Sequence, residues 1–362
     1  MKFAHMSDIR LGLVSESGRR WGKERVVEVF DAFGRVLSRL AETKTDLVLI
    51  TGGLFAHCPL TTELNEANRL MAACPGITFV IIAGQSDSLR RSSPVMSYRW
   101  APNVHYVLSG KPEKLSLPGI HTEIYAASCA EESTGSDELI AFFEADRDRR
   151  ESVSVAMLVE PDEEKASRFS CAGFSYAALG GNRSKMEAGG SNVYYAGGLE
   201  AENMADTGNH GYLKGEISDV TGILTGLEFV PFSSVSYIPL RITVDPSISP
   251  AELEKKTEEE ILKRGPANIY RIHIIGSKKP GVVFDMAGLK ERRRIAEIQD
   301  ETEPQYDFDS LYTAHTQDII GYYISRLGRN REEMSEIDKR AMFFGIDALI
   351  KSAEKPISEA DN

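Results

Sequence analysis

Residues 46–57, D-L-V-L-I-T-G-G-L-F-A-H, restrict the fold of this chain more than any other stretch. Leu47, Val48, Leu49 and Ile50 form a continuous apolar run, the pattern of a parallel strand buried on both faces. The run breaks at Thr51-Gly52-Gly53, where a loop leaves the carboxyl edge of a sheet. Residues 2–11 (K-F-A-H-M-S-D-I-R-L) and 78–89 (T-F-V-I-I-A-G-Q-S-D-S-L) repeat this strand-then-loop pattern. Between these units, residues 23–42 carry Val26, Val27, Val29, Phe30, Phe33, Val36, Leu37 and Leu40 at helical spacing, and 61–74 carry Leu64, Leu70 and Met71. A β-α-β-α-β alternation predicts parallel strands with right-handed crossovers. Open α/β sheets bind ligands at the carboxyl edge, so the site is expected where the three loops meet.

Further along, short strands are expected at 104–108, 114–117, 123–127, 152–159 and 176–179, with helices at 136–146 and 163–170. Residues 193–196 and 211–217 read as one closing β-region, giving two facing sheets with helices outside. A second unit is expected from Ser234: a strand at 237–244, then Ser249-Pro250-Ala251-Glu252, a capping box with proline at the first helical position. That helix stops at Gly265-Pro266, and a strand at 269–275, a short helix at 286–294 and a strand at 295–300 follow. The tail, 307–352, is expected to be helical. One apolar face carries Leu311, Ile319, Ile320, Tyr323 and Ile324, and a second carries Met334, Ile337, Met342, Phe343, Ile346, Leu349 and Ile350.

With 42 basic and 54 acidic residues the net charge is −12, which disfavours long-range attraction to nucleic acid or anionic membrane. Local basic clusters remain at Arg19, Arg20, Lys23 and Arg25; at Arg90 and Arg91; at Arg147, Arg149 and Arg150; and at Lys290 with Arg292–Arg294. Such clusters are commonly solvated helix faces. Cys58, Cys74, Cys129 and Cys171 show no C-x-x-C spacing and read as reduced thiols. No apolar run reaches the ~18 residues of a membrane span, and no leader is apparent. A cytoplasmic protein is expected, without a membrane partner.

These motifs resemble the calcineurin-like metallophosphoesterases, and among them the SbcD-type DNA repair exonucleases that act with an SMC-like ATPase on double-strand breaks. The resemblance runs through K-F-A-H-M-S-D-I-R-L-G, I-T-G-G-L-F, I-I-A-G-Q-S-D-S, F-S-Y-A-A-L-G-G-N-R, V-Y-Y-A-G-G-L-E-A-E-N and T-G-N-H-G-Y. It implies an α/β fold, a four-layer α/β/β/α sandwich, over 1–233, a small α+β capping domain over 234–305, and a partner-docking helical segment over 306–362. It also implies two manganese ions roughly 3.5–4 Å apart, which polarise phosphate and generate a hydroxide.

The positions that would hold those metals are degenerate. Asp8 is kept, but Arg10 stands at the histidine of D-x-H, and Gly53 at the metal-bridging aspartate. Gln85 and Ser86 replace the asparagine and histidine of G-N-H-D, with Asp87 retained. Val159 stands at the lone histidine, and Gly181 and Arg183 at the two histidines of G-H-x-H. Arginine cannot discharge at working pH, so Arg10 and Arg183 bring fixed positive charge to where divalent cations would sit. No catalytic residue is expected, and no cofactor.

Three functions follow from this reading. The first is a catalytically silent SbcD-like scaffold or DNA-end-binding subunit, docked through its C-terminal helices on an SMC-like ATPase of SbcC type. The second is a manganese-dependent exonuclease or phosphoesterase with a relocated or mononuclear site using Asp8, Asp87 and His57. The third is an anion or nucleotide sensor built on Arg10, Arg183 and Gln85. Lys290, Arg292, Arg293 and Arg294 are the candidate DNA contacts, with a solvated helix face as the plain alternative. Asp87 reads more readily as a loop-structuring acceptor than as a base, and His210 as part of a turn. A homodimer is compatible with all three.

Overall fold

The structure is a computed structural model describing residues 1–15, 18–131, 134–146, 153–206, 208–327 and 335–354. Arg147, Arg149, Arg150 and Met334, named above, lie outside the described residues. The chain forms two compact units, Met1–Tyr237 and Ile238–Asn362.

The first unit is mixed α/β with two six-stranded mixed sheets. In chain order its elements are β1 (Lys2–Met6), α1 (Gly22–Glu42), β2 (Leu47–Thr51), α2 (Thr61–Ala72), β3 (Thr78–Ile82), β4 (Val104–Val107), β5 (Glu113–Leu117) and β6 (Thr122–Ala126). Then come α3 (Ser136–Ala145), β7 (Val153–Val159), α4 (Glu163–Ser167), α5 (Phe169–Ala172), β8 (Tyr176–Gly180), β9 (Met186–Glu187), β10 (Val193–Tyr195), β11 (Gly211–Ile217) and β12 (Leu224–Pro231). One sheet runs β12-β11-β1-β2-β3-β4, with β1 to β4 parallel. The other runs β5-β6-β7-β8-β10-β9, with β6, β7, β8 and β10 parallel.

All five residues of β2 are buried, as its unbroken apolar run requires. Because side chains alternate along a strand, each strand feeds two cores. Val48 and Ile50 pack with Ala4, Phe79 and Ile81 under Val29, Phe33 and Leu40 of α1 and Leu64 and Met71 of α2. Leu47 and Leu49, with Phe3, Val80 and Ile82, meet Ile124, Val155, Met157, Tyr176 and Ala178 of the second sheet. The other face of that sheet, Tyr125, Ala156, Leu158, Ala177 and Leu179, is covered by Leu139, Phe143 and Phe169.

Two local expectations need correcting. Residues 193–196 and 211–217 do not close one region: β10 joins the second sheet beside β8, and β11 pairs antiparallel with β1 in the first. The expected helix 163–170 is two short helices meeting at Arg168, the C-cap of one and the N-cap of the other.

From Ile238 on, the second unit contains the rest of β13 (Tyr237–Val244), then α6 (Pro250–Arg264), β14 (Ile269–Lys278), α7 (Ala287–Arg292), β15 (Ile295–Asp300) and β16 (Glu303–Pro304). The capping box forms, with the Glu252 carboxylate accepting from Ser249 N at 2.9 Å and Ser249 Oγ accepting from Glu252 N at 3.3 Å. Leu253 and Ile261 of α6 pack on Leu240, Ile272 and Ile274. The tail follows as α8 (Phe308–Ala314), α9 (Ile319–Leu327) and α10 (Glu336–Glu354). Ile346 is fully buried against Tyr306, Phe308, Ile320, Ile324 and Met342, with Phe343, Leu349 and Ile350 beside it. Most of the second apolar face expected in the tail, from Met342 to Ile350, is therefore covered by its own chain. Ile319, Tyr322, Ile337 and Phe344 lie outside it, each more than 60% exposed. Among the described residues, no helix is long and apolar enough to cross a membrane.

Candidate functional site

The carboxyl ends of β1, β2, β3, β7 and β8 converge on one cavity of about 160 Å³. Its lining includes Asp8, Arg10, Gly53, Gln85, Ser86, Val159, Gly181 and Arg183, so positions scattered from 8 to 183 are brought to one place. Asp87 and His57 do not line it. His57 is about half exposed, its Nδ1 3.0 Å from the Cys58 carbonyl and its Nε2 3.6 Å from Glu63.

The strand ends pack backbone against backbone. A Cβ at Gly180 would fall 1.9 Å from the carbonyl oxygen of Thr51, on the opposite sheet. Asp8 (φ 46°) and Arg10 (φ 61°) are both left-handed, a conformation non-glycine residues adopt at a cost. Backbone bonds hold that turn: Asp8 N donates to Gly52 O at 3.0 Å and Arg10 N to Gly53 O at 2.9 Å.

Both arginines are engaged by carboxylates of the chain itself. Arg10 Nε lies 2.8 Å from Glu202 Oε1 and 3.2 Å from Asp8 Oδ1. Arg183 Nη1 lies 2.9 Å from the same Glu202 oxygen and 3.9 Å from Asp8 Oδ1, and Nη2 lies 2.5 Å from Asp206 Oδ2. Arg10 Nε and Arg183 Nη1 are buried and reach these oxygens without hydrogen-bond alignment, so those contacts are Coulombic. Two fixed cations thus face three carboxylates. Burial raises the Asp8 pKa; Arg10 and Arg183 oppose that, while Glu202 and Asp206 add to it. Burial works to lower Arg183, but the Asp206 hydrogen bond and the charges of Glu202, Asp206 and Asp8 outweigh it and hold it above its ordinary value.

Glu202 and Asp206 were not singled out from the sequence. Their signal was present as acidic residues clustered in one loop, E-A-E-N-M-A-D, in a chain whose candidate pocket held two uncompensated arginines. Buried Glu200 anchors that loop by accepting from Ser234 N at 2.7 Å and pairing with fully buried Arg25 of α1 at 3.4 Å.

Asp87 organises the loops behind the cavity. Its carboxylate accepts from Gly84 N at 2.7 Å, Phe55 N at 3.1 Å and Gly53 N at 3.2 Å. Burial raises its pKa and those backbone donors pull it back. On β1, buried His5 spans the two sheets, with Nε2 2.8 Å from Thr51 Oγ1 and Nδ1 3.0 Å from Tyr176 Oη. Burial lowers its pKa to about 3.

These residues do not fit a dinuclear manganese centre. Asp8 already faces two guanidinium groups, Gly53 offers no donor, and Asp87 is committed to backbone N–H groups. Among the described residues, no group of three or more His, Cys, Asp or Glu is arranged to hold a metal ion. The proposed DNA contacts are also largely engaged: Arg292 pairs with Glu254 at 2.7 Å and Arg293 with Glu258 at 2.9 Å, both on α6. Arg294 donates to the Ala267 carbonyl at 3.3 Å, and Lys290 is exposed. No family model matches the chain, and no curated protein matches it.

Proposed function

We propose that this chain is a catalytically silent, SbcD-like member of the calcineurin-like metallophosphoesterases, serving as a scaffold or DNA-end-binding subunit of an SMC-like ATPase complex. The observation that carries this reading is the convergence of strand ends on one cavity. The residues found there are those at which the sequence resemblance expects metal ligands, with paired guanidinium charge instead. The three apolar cores, helix on sheet, sheet on sheet and sheet on helix, support the four-layer α/β/β/α sandwich of that family. The alternative of a relocated site using Asp8, Asp87 and His57 is disfavoured, because Asp87 serves backbone donors and neither it nor His57 lines the cavity.

Docking on an SbcC-type coiled coil would use the outer face of the tail, where Ile337 and Phe344 of α10 and Tyr322 of α9 are exposed. Reconstitution with the coiled-coil ATPase of the same cell tests the partner. Co-elution in size-exclusion chromatography, lost on Phe344→Asp, is expected; no co-elution at micromolar concentration would count against it. A manganese-dependent phosphodiesterase assay tests the silence separately, with no turnover expected.

A further inference from the structure

The cavity holding Arg10 and Arg183 is poorly suited to an added anion, since its cations already face Asp8, Glu202 and Asp206. A second concavity at the carboxyl ends of β3, β4 and β6 has the opposite character. Arg90, Arg91 and Lys111 line a pocket of about 380 Å³ together with the apolar side chains of Met96 and Leu108. Among the described residues, none of the three cations has an ion pair, and the single carboxylate on the rim is Glu131. In a chain of net charge −12, local unpaired positive charge is a specific feature.

The walls of this pocket are cross-bonded. Leu89 N donates to Cys129 O at 2.8 Å, Ser128 N to Ser109 O at 2.9 Å, and Thr134 Oγ1 to Gly110 O at 2.7 Å. Ser93 N donates to Arg90 O at 2.9 Å, closing the turn that carries both arginines. The concavity is therefore held by hydrogen bonds between loops of both sheets, so little ordering of the loops would be needed on binding. Met96 and Leu108, 40% and 38% exposed, offer an apolar wall beside the cations. A polarisable thioether beside a leucine suits the flat face of a ring.

We propose that this pocket binds a small phosphate ester of mononucleotide size. The phosphate would lie among Arg90, Arg91 and Lys111, and the ring against Met96 and Leu108. Arginine suits phosphate because its planar fork presents paired donors. The volume falls within the roughly 300–1,000 Å³ of small-ligand pockets. A small ligand is favoured over a nucleic-acid strand because three cations beside one short apolar wall match a single nucleotide unit and the chain is acidic. By contrast, in the separate basic run at 290–294, Arg292 and Arg293 are paired with Glu254 and Glu258. This assignment goes beyond the scaffold reading and does not depend on it.

Isothermal titration calorimetry of the intact chain tests the proposal, with adenosine monophosphate, adenosine, inorganic phosphate and a short single-stranded oligonucleotide as probes. Saturable binding of the monophosphate is expected, at least tenfold tighter than adenosine or phosphate alone. The double variant Arg90→Ala/Arg91→Ala should weaken it at least tenfold, and Arg183→Lys should leave it within twofold. Lys111→Glu, at an exposed position, supplies an independent variant should the double substitution fail to fold. Absence of binding at millimolar monophosphate, equal affinity for adenosine, or indifference to both sets of substitutions would overturn the proposal. Binding of the oligonucleotide alone would assign the surface to nucleic acid and overturn it as well.

Discussion

A Cβ built on Gly53 lies 2.6 Å from Oδ1 of Asp8 and 3.0 Å from its Cα. The loop after β2 therefore lies directly against the turn after β1, and the space that a side chain at this position would need is occupied. Gly53 is also left-handed, at φ 65°, where any other residue is strained. Gly53→Asp, which would supply the carboxylate that the sequence resemblance expects at this position, should destabilise the protein by about 1–3 kcal/mol from backbone strain and crowding. Thermal denaturation measures the loss. A gain in stability, or manganese uptake by this variant, would show that the loop can reopen.

Arg183 and Glu202 should behave as a coupled pair. Removing Arg183 leaves Glu202 and Asp206 facing Asp8 with Arg10 as the one guanidinium among them, so Arg183→Ala is expected to cost about 2 kcal/mol. Glu202→Gln in that background should cost less than it does alone. A double-mutant cycle read by urea denaturation should give a coupling of about 1–2 kcal/mol. Additivity within about 0.3 kcal/mol would mean that the two side chains are neighbours without energetic consequence.

Three of the strand ends at the cavity were legible as apolar runs passing into loops, whereas Val159, Gly181 and Arg183 were placed there by the family resemblance alone. The network filling the cavity was not legible. Arg10 meets Glu202 across nearly the whole length of the first unit, and local periodicity carries no information about such a pairing. Strand β12 was missed because L-T-G-L-E-F-V-P lies half exposed at a sheet edge and shows no clean alternation. The apolar stripe at 343–350 was found, but its partner was not: a stripe shows that a helix face is covered, while Tyr306 and Ile324, which cover it, are distant in sequence.

His5 gives the fold an acid-sensitive point. Its folded pKa of about 3 lies below the ordinary 6.5, so between these values the unfolded chain takes up the proton more readily. Its neutral form therefore supports the fold fully above pH 6.5, and that support is lost as the pH falls towards 3. The loss should reach about 2 kcal/mol by pH 5. His5→Gln keeps a donor and an acceptor between Thr51 and Tyr176 but does not titrate. Wild-type Tm should fall more steeply than that of the variant between pH 7 and 5, and parallel curves would refute the assignment.

Manganese stoichiometry tests the central claim most directly. The chain should be purified without chelator, equilibrated with excess manganese, freed of unbound ion by gel filtration and analysed by mass spectrometry of the metal. With Arg10 and Arg183 standing against Asp8 and no donor at Gly53, the account predicts less than about 0.1 manganese per chain. One or two equivalents per chain, lost in Asp8→Ala together with a measurable phosphodiesterase turnover, would contradict it.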